Sequence, residues 1–97
     1  MVIYTRTEAQ KQIHDNFELA SNFSMTVISV FRKVEITGEI HLTDMFSHNT
    51  IEALKWKNNY TASLKKLNVP YIVYVGDHFV EANGCLEFKD DKEGHEA

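Results

Sequence analysis

The chain has 97 residues, a length typical of a single domain, and its hydrophobic content of 43% is enough for one small core. No apolar stretch approaches the roughly 20 residues of a membrane span, and the N-terminus lacks the basic and apolar regions of a signal peptide, so we expect a cytoplasmic protein with no membrane partner. The single cysteine, Cys85, excludes an internal disulfide and every multi-cysteine metal site.

The net charge of −4 is concentrated at the C-terminus. Residues 90–97 contain four acidic residues and one lysine, a balance of −3, so residues 1–89 carry only −1. Such a polar, acidic end is typical of a solvated chain terminus. The sequence therefore predicts one domain over residues 1–89, followed by an acidic flexible tail over residues 90–97.

The first predicted elements are a short strand at residues 2–4 and a helix that begins at Thr5. Thr5 and Glu8 have the spacing of a capping box, in which each side chain accepts a hydrogen bond from the other residue's backbone N–H. Apolar residues then recur every three or four positions, which is the period of a helix with one buried face. The residues of this stripe are Ala9, Ile13, Phe17 and Ala20.

The next predicted elements are three strands. Residues 25–31 are rich in β-branched and aromatic side chains, which favours a strand. We expect Arg32 and Lys33 to end this strand, and Thr37-Gly38 to form a hairpin turn between two further strands within residues 34–44.

The second half of the chain has the same order of signals. Asn49 and Glu52 have the spacing of a helix start, and an apolar stripe follows. Residues 71–75 predict a strand, Gly76-Asp77 predicts a break, and Asn83-Gly84 is the strongest short-range signal for a hairpin turn. The residues of the stripe are Ala53, Trp56, Tyr60, Leu64 and Leu67.

Residues 34–44 resemble residues 80–90, so we interpret the chain as two repeats, roughly residues 5–44 and 49–90. The predicted fold class is α+β, with a mostly antiparallel sheet, two helices and a pseudo-twofold repeat of an α-β-β-β unit. The predicted order of elements is β-α-β-β-β-α-β-β-β.

The function that this sequence favours is binding. The strands at residues 25–31 and 71–75 are apolar on both alternating faces, so both faces need cover, and two helices are few for up to seven strands. We therefore expect a homodimer, a partner protein, or both, and a small non-catalytic regulatory protein such as an inhibitor or adaptor, of viral or mobile-element origin. No cofactor or metal is predicted. The expected protein-binding residues are Tyr71, Tyr74, Asn83, Gly84, Thr37, Gly38, Lys55, Lys65 and Lys66.

Nucleic-acid binding is a first alternative. The second predicted helix carries four lysines against Glu52, and a basic helix can follow a phosphate backbone. However, the only arginines of the chain, Arg6 and Arg32, lie outside this helix. The lysines are Lys55, Lys57, Lys65 and Lys66.

Metal-dependent chemistry is a second alternative. Asp77 followed by Glu87-Phe88-Lys89 resembles the catalytic motif of restriction-endonuclease-like nucleases. That resemblance implies acids that hold a divalent metal and a lysine that assists at the phosphate. His41, Asp44 and His48 lie within eight residues and are a further set of metal-ligand types, although their spacing matches no specific signature. A small-ligand pocket between the two halves is a third alternative, for which the sequence indicates no residues.

Overall fold

Two helices and an antiparallel sheet make up the part of the chain that the computed structural model describes, which is residues 2–3 and 5–88. The predicted tail at residues 90–97 lies outside this part. The elements in chain order are β1 (Val2–Ile3), α1 (Arg6–Asn22), β2 (Thr26–Lys33), β3 (Ile40–Ser47), α2 (Thr50–Lys66), β4 (Tyr71–Val75) and β5 (His78–Asn83).

The sheet has the strand order β1-β3-β2-β4-β5, and every neighbouring pair is antiparallel. β2 lies in the middle, where Val30 is in register with Thr43 of β3 and Val73 of β4. β2–β3 and β4–β5 are hairpins joined by short connections. The predicted α+β class with a mostly antiparallel sheet and two helices is confirmed.

Both helices begin at the predicted caps. The Thr5 hydroxyl accepts from the Glu8 backbone N–H at 3.1 Å, and the Glu8 carboxylate accepts from the Thr5 N–H at 3.0 Å, which completes the capping box. The Asn49 side chain accepts from the Glu52 N–H at 3.1 Å. Since these bonds satisfy backbone donors that have no partner inside a helix, they fix where each helix starts.

Both helices also end in the same way. Ser24 and Asn68, two residues past the helix ends, have φ angles of 54° and 60°. The next residue then donates back into the last turn, with Met25 N to Ala20 O at 2.8 Å and Val69 N to Leu64 O at 2.9 Å. This left-handed cap reverses the chain and starts the following strand, β2 or β4.

The helices cover opposite faces of the sheet. Phe31 of β2 packs in a cluster with Ala9 of α1. Ile28 and Val30, on the other face of β2, pack with Ala53 of α2. β2 is therefore buried on both faces by this chain alone, which explains its apolar character without a second molecule. The pseudo-twofold relation between the two halves stays a prediction.

The predicted third strand of each half is not formed within the described residues. β2 continues through Arg32 and Lys33 because these residues pair with β3, and residues 34–39, which contain the predicted Thr37-Gly38 turn, connect the two strands. After β5, Gly84 has a φ of 75° but Asn83 does not have the positive φ that a type I′ turn requires. Residues 85–88 form no strand, and Phe88 instead packs edge-on against Phe31 at 5.4 Å between ring centres. The observed order is β-α-β-β-α-β-β.

Candidate binding surface

β5 forms one edge of the sheet and exposes apolar side chains. Phe79 is 58% exposed and Val80 is 44% exposed, and a bulge interrupts the pairing with β4 between Val73 and Tyr74. An edge strand presents backbone donors and acceptors that another extended chain can pair with, and natural edges usually protect them with charged residues or proline. The bulge is also a form of edge protection, but the first three residues of β5 include no proline and, apart from His78, no polar side chain.

Two cavities lie between α1 and the β4–β5 hairpin, with volumes of about 230 and 280 Å³. Their size is below that of typical small-molecule pockets and suits single side chains. The first is lined by residues that include Phe17, Val75, Gly76 and His78, and the second by Gln10, Ile13, His14, Tyr74 and Asp77.

Phe17 lies at this surface and not in the core. The sequence placed it in the buried stripe of α1, but Phe17 is 38% exposed and Asn16 is buried in its place. Asn16 is tolerated there because its amide donates to Ser29 Oγ at 3.4 Å and to Asp44 Oδ2 at 3.2 Å. A Cβ at Gly76 would lie 3.3 Å from the Phe17 ring, so Gly76 allows α1 to approach the hairpin closely.

Tyr74, one of the two predicted binding tyrosines, lies at the same surface. It is half-buried, and its ring makes edge-on contacts with Phe31 at 6.1 Å and with Phe79 at 6.0 Å between ring centres. Tyr74 thus connects the buried cluster under α1 to the exposed ring of Phe79. We call Phe17, Tyr74, Phe79 and Val80 the hairpin surface.

Tyr71, the other predicted binding tyrosine, has no exposed surface. It cannot contact a partner in this conformation, and the structure places it in the core instead. Its hydroxyl donates to Glu81 Oε2 at 2.9 Å, and Lys57 Nζ donates to Glu81 Oε1 at 2.7 Å. This Tyr71–Glu81–Lys57 network ties the edge strand β5 to β4 and α2.

The network shifts two ionisation equilibria. Burial raises the pKa of Tyr71 to about 12, and the hydrogen bond to the Glu81 carboxylate and its negative charge act in the same direction. The hydrogen bond from Lys57 lowers the pKa of Glu81, against the effect of its partial burial. Because this pKa is lowered on folding, the contribution of Glu81 to stability is present above the ordinary carboxyl range and is lost as the pH falls through its folded value.

The predicted turn residues lie at the other end of the sheet. The register of Arg32 with Tyr71, and of Tyr71 with Asn83, places the end of β2 and the end of β5 on either side of the start of β4. The turns after these strands therefore lie at the same end of the sheet, which is the end away from Gly76-Asp77. They contain Thr37 and Gly38, which are exposed, and the half-buried Asn83 followed by the exposed Gly84.

The predicted basic residues lie on a third surface. Lys55, Lys65 and Lys66 are exposed on α2, on the face of the sheet opposite to Tyr74 and Phe79. Lys57 is held by Glu81 and is only 13% exposed, so it is not available to a phosphate backbone. The structure thus does not gather the predicted binding residues into one site.

The nuclease arrangement is not formed by the described residues. Asp77 precedes β5 and Glu87 follows its far end, so the two acids lie at opposite ends of this strand, and Lys89 lies outside the described part. His41 and Asp44 point to opposite faces of β3, since their partners on β2, Arg32 and Ser29, are three residues apart. No three metal-ligating side chains come together anywhere in residues 2–3 and 5–88.

The chain matches no protein-family model, and neither a curated protein nor a solved structure is significantly similar to it. Neither helix within the described residues combines the length and the hydropathy needed to cross a membrane. The candidate site therefore depends on geometry alone. Phe79 and Val80, which were not among the predicted binding residues, could have been found as an apolar pair shortly after the Gly76-Asp77 break.

Proposed function

We propose that this chain is a non-catalytic binding protein that recognises an extended segment of another protein at the β5 edge. The observation that carries this proposal is the pair Phe79 and Val80, which are large, apolar and exposed on an edge strand. The protein would act as an inhibitor or adaptor by occupying that segment. The exposed free thiol of Cys85 fits a reducing compartment such as the cytoplasm.

Strand addition accounts for how such a site would bind. The partner backbone would pair with the outer donors and acceptors of β5, which gives affinity with little dependence on sequence. Specificity would come from apolar side chains of the partner, which contact Phe79 and Val80 and enter the two cavities beside Phe17 and Tyr74. Covering a large apolar side chain contributes about 1.5–3 kcal/mol, so two such residues suit a reversible complex.

A second copy of the chain is an alternative occupant of the same edge. Two β5 strands could pair antiparallel about a twofold axis, which would give the homodimer expected from the sequence. The burial of β2 on both faces removes one of the arguments for such a dimer. We therefore propose that another protein is the partner and that the isolated chain is a monomer, which light scattering measures directly.

Substituting Phe79 by serine is expected to weaken this binding while leaving the fold intact, because the ring is mostly exposed. The test selects binders from a library of random linear peptides on the wild-type protein and compares their affinities for the variants. We expect peptides with alternating apolar residues and at least a tenfold loss of affinity for Phe79→Ser, which corresponds to about 1.4 kcal/mol.

The matched control is Ile51→Ser on α2, since Ile51 is also apolar and is 69% exposed. This variant should bind the selected peptides as the wild type does. Equal affinities of Phe79→Ser and the wild type, or amide chemical-shift changes at α2 and not at β5, would contradict the proposal. A dimer that dissociates in Phe79→Ser would assign the edge to a second copy.

A further inference from the structure

The sheet face under α2 contains a half-buried arginine that is fixed in place by an aromatic pair. Arg32 Nε donates to the Tyr60 hydroxyl at 2.8 Å, and that oxygen lies 3.3 Å from Thr43 Oγ1. The Tyr60 ring stacks on Trp56 with 5.2 Å between ring centres and 26° between planes. The guanidinium is thus held by Tyr60 of α2, whose hydroxyl is positioned by Thr43 of β3, before any ligand arrives.

The positive charge of Arg32 has no acidic partner among the described residues. Arg32 takes part in none of the ion pairs formed within residues 2–3 and 5–88. Its neighbour on β3, His41, faces the same side of the sheet and lies 3.2 Å from Glu39 Oε1, so that carboxylate is engaged by the imidazole. A half-buried charge without a counterion is unusual, because removing a charge from water is costly unless it is paired.

The donors that remain on Arg32 have the geometry of an anion site. A guanidinium carries five N–H donors in a planar fork, and the hydrogen bonds of the described residues use only the one on Nε. The two Nη groups are the part of the fork that binds both oxygens of a carboxylate or phosphate group.

We propose that Arg32 binds a small oxyanion, a phosphate or carboxylate group, at the corner formed by His41, Tyr60 and Trp56. The bound group would supply the missing countercharge. This corner lies on the face of the sheet opposite to Tyr74 and Phe79, so the proposal is independent of strand addition at β5. Binding at the two sites can be measured separately.

The chain carries its own reporter for this test, because Trp56 is its only tryptophan. Fluorescence of Trp56 is followed while inorganic phosphate is added, and in a second series acetate, at constant ionic strength. We expect a saturable change in the wild-type protein. Saturation by phosphate alone assigns the site to phosphate groups, saturation by acetate alone to carboxylates, and saturation by both to either group.

Variants of the two arginines separate the site from general charge effects. Arg32→Gln should lose the response, whereas Arg6→Gln, which removes the exposed arginine of α1, should keep it. Arg32→Lys retains the charge without the fork and should bind about tenfold more weakly.

Circular dichroism establishes whether Arg32→Gln is folded, and Arg32→Lys provides the comparison if it is not. A wild-type protein that shows no saturable response to either anion would overturn the proposal. The proposal would also be overturned if Arg32→Lys responded as the wild type does and folded Arg32→Gln still responded.

Discussion

Replacing Glu81 by alanine is expected to lower the free energy of unfolding by about 3 kcal/mol. The substitution leaves the Tyr71 hydroxyl without its acceptor in a fully buried position and leaves Lys57, which is 13% exposed, without its counterion. Each orphaned buried group costs about 1–3 kcal/mol. For a domain of this size that is a large fraction of the total stability, and the midpoint of urea unfolding measures it.

Glu87→Ala is the matched control, because Glu87 is exposed and its contact with Cys85 Sγ, at 4.0 Å, is weak. Its unfolding free energy should stay within about 0.5 kcal/mol of the wild type. Hydrogen exchange at β5 gives a second measurement, since loss of the Glu81 tether should speed exchange there more than in β2. If Glu81→Ala and Glu87→Ala have the same unfolding midpoint, the Tyr71–Glu81–Lys57 network does not stabilise the fold.

Alkaline pH is expected to destabilise the protein through Tyr71 by about 2 kcal/mol between pH 10 and pH 12. The pKa rises from 10.0 in the unfolded chain to about 12 in the folded one, so the neutral hydroxyl is favoured on folding. Above pH 10 the unfolded chain releases this proton while the folded chain keeps it, and stability then falls with pH until the folded pKa is passed. Below pH 10 the contribution is fully present.

Tyr71→Phe isolates this effect, because the other ionisations are common to both proteins. At neutral pH the variant should be less stable by about 1–2 kcal/mol, since it removes the hydrogen bond to Glu81. With rising pH the difference should shrink and then reverse sign. Urea unfolding at a series of pH values measures both curves, and curves that stay parallel up to pH 12 would show that the Tyr71 proton is not held by the fold.

Local signals in the sequence predicted the two helices and the strands β2 and β4 well. The caps at Thr5 and Asn49 act within one turn of the helices that they start. Residues distant in the sequence therefore have little influence on where these helices begin. The strand at residues 71–75 has the predicted bounds, because its β-branched and aromatic residues are followed at once by the Gly76 turn.

Contacts between residues distant in the sequence determine the features of the fold that local signals did not predict. Asn83-Gly84 indicated a hairpin, but Phe88 packs on Phe31, and the chain after Gly84 leaves the sheet. The side chain of Pro70 also lies 3.2 Å from where a Cβ of Gly84 would be, a contact between positions fourteen residues apart. No local pattern revealed that the helices would lie on opposite faces, and this fact placed Tyr71 in the core and Tyr74 at the surface.

The position of β2 between the two helices has a consequence for how the chain folds. Residues 5–47 alone would leave Ile28 and Val30 open to water, and residues 49–83 alone would lack the central strand on which β4 pairs. Neither segment can bury its apolar residues without the other. Folding should therefore be a single cooperative transition, and the two segments, produced as separate peptides, should remain unstructured until they are mixed.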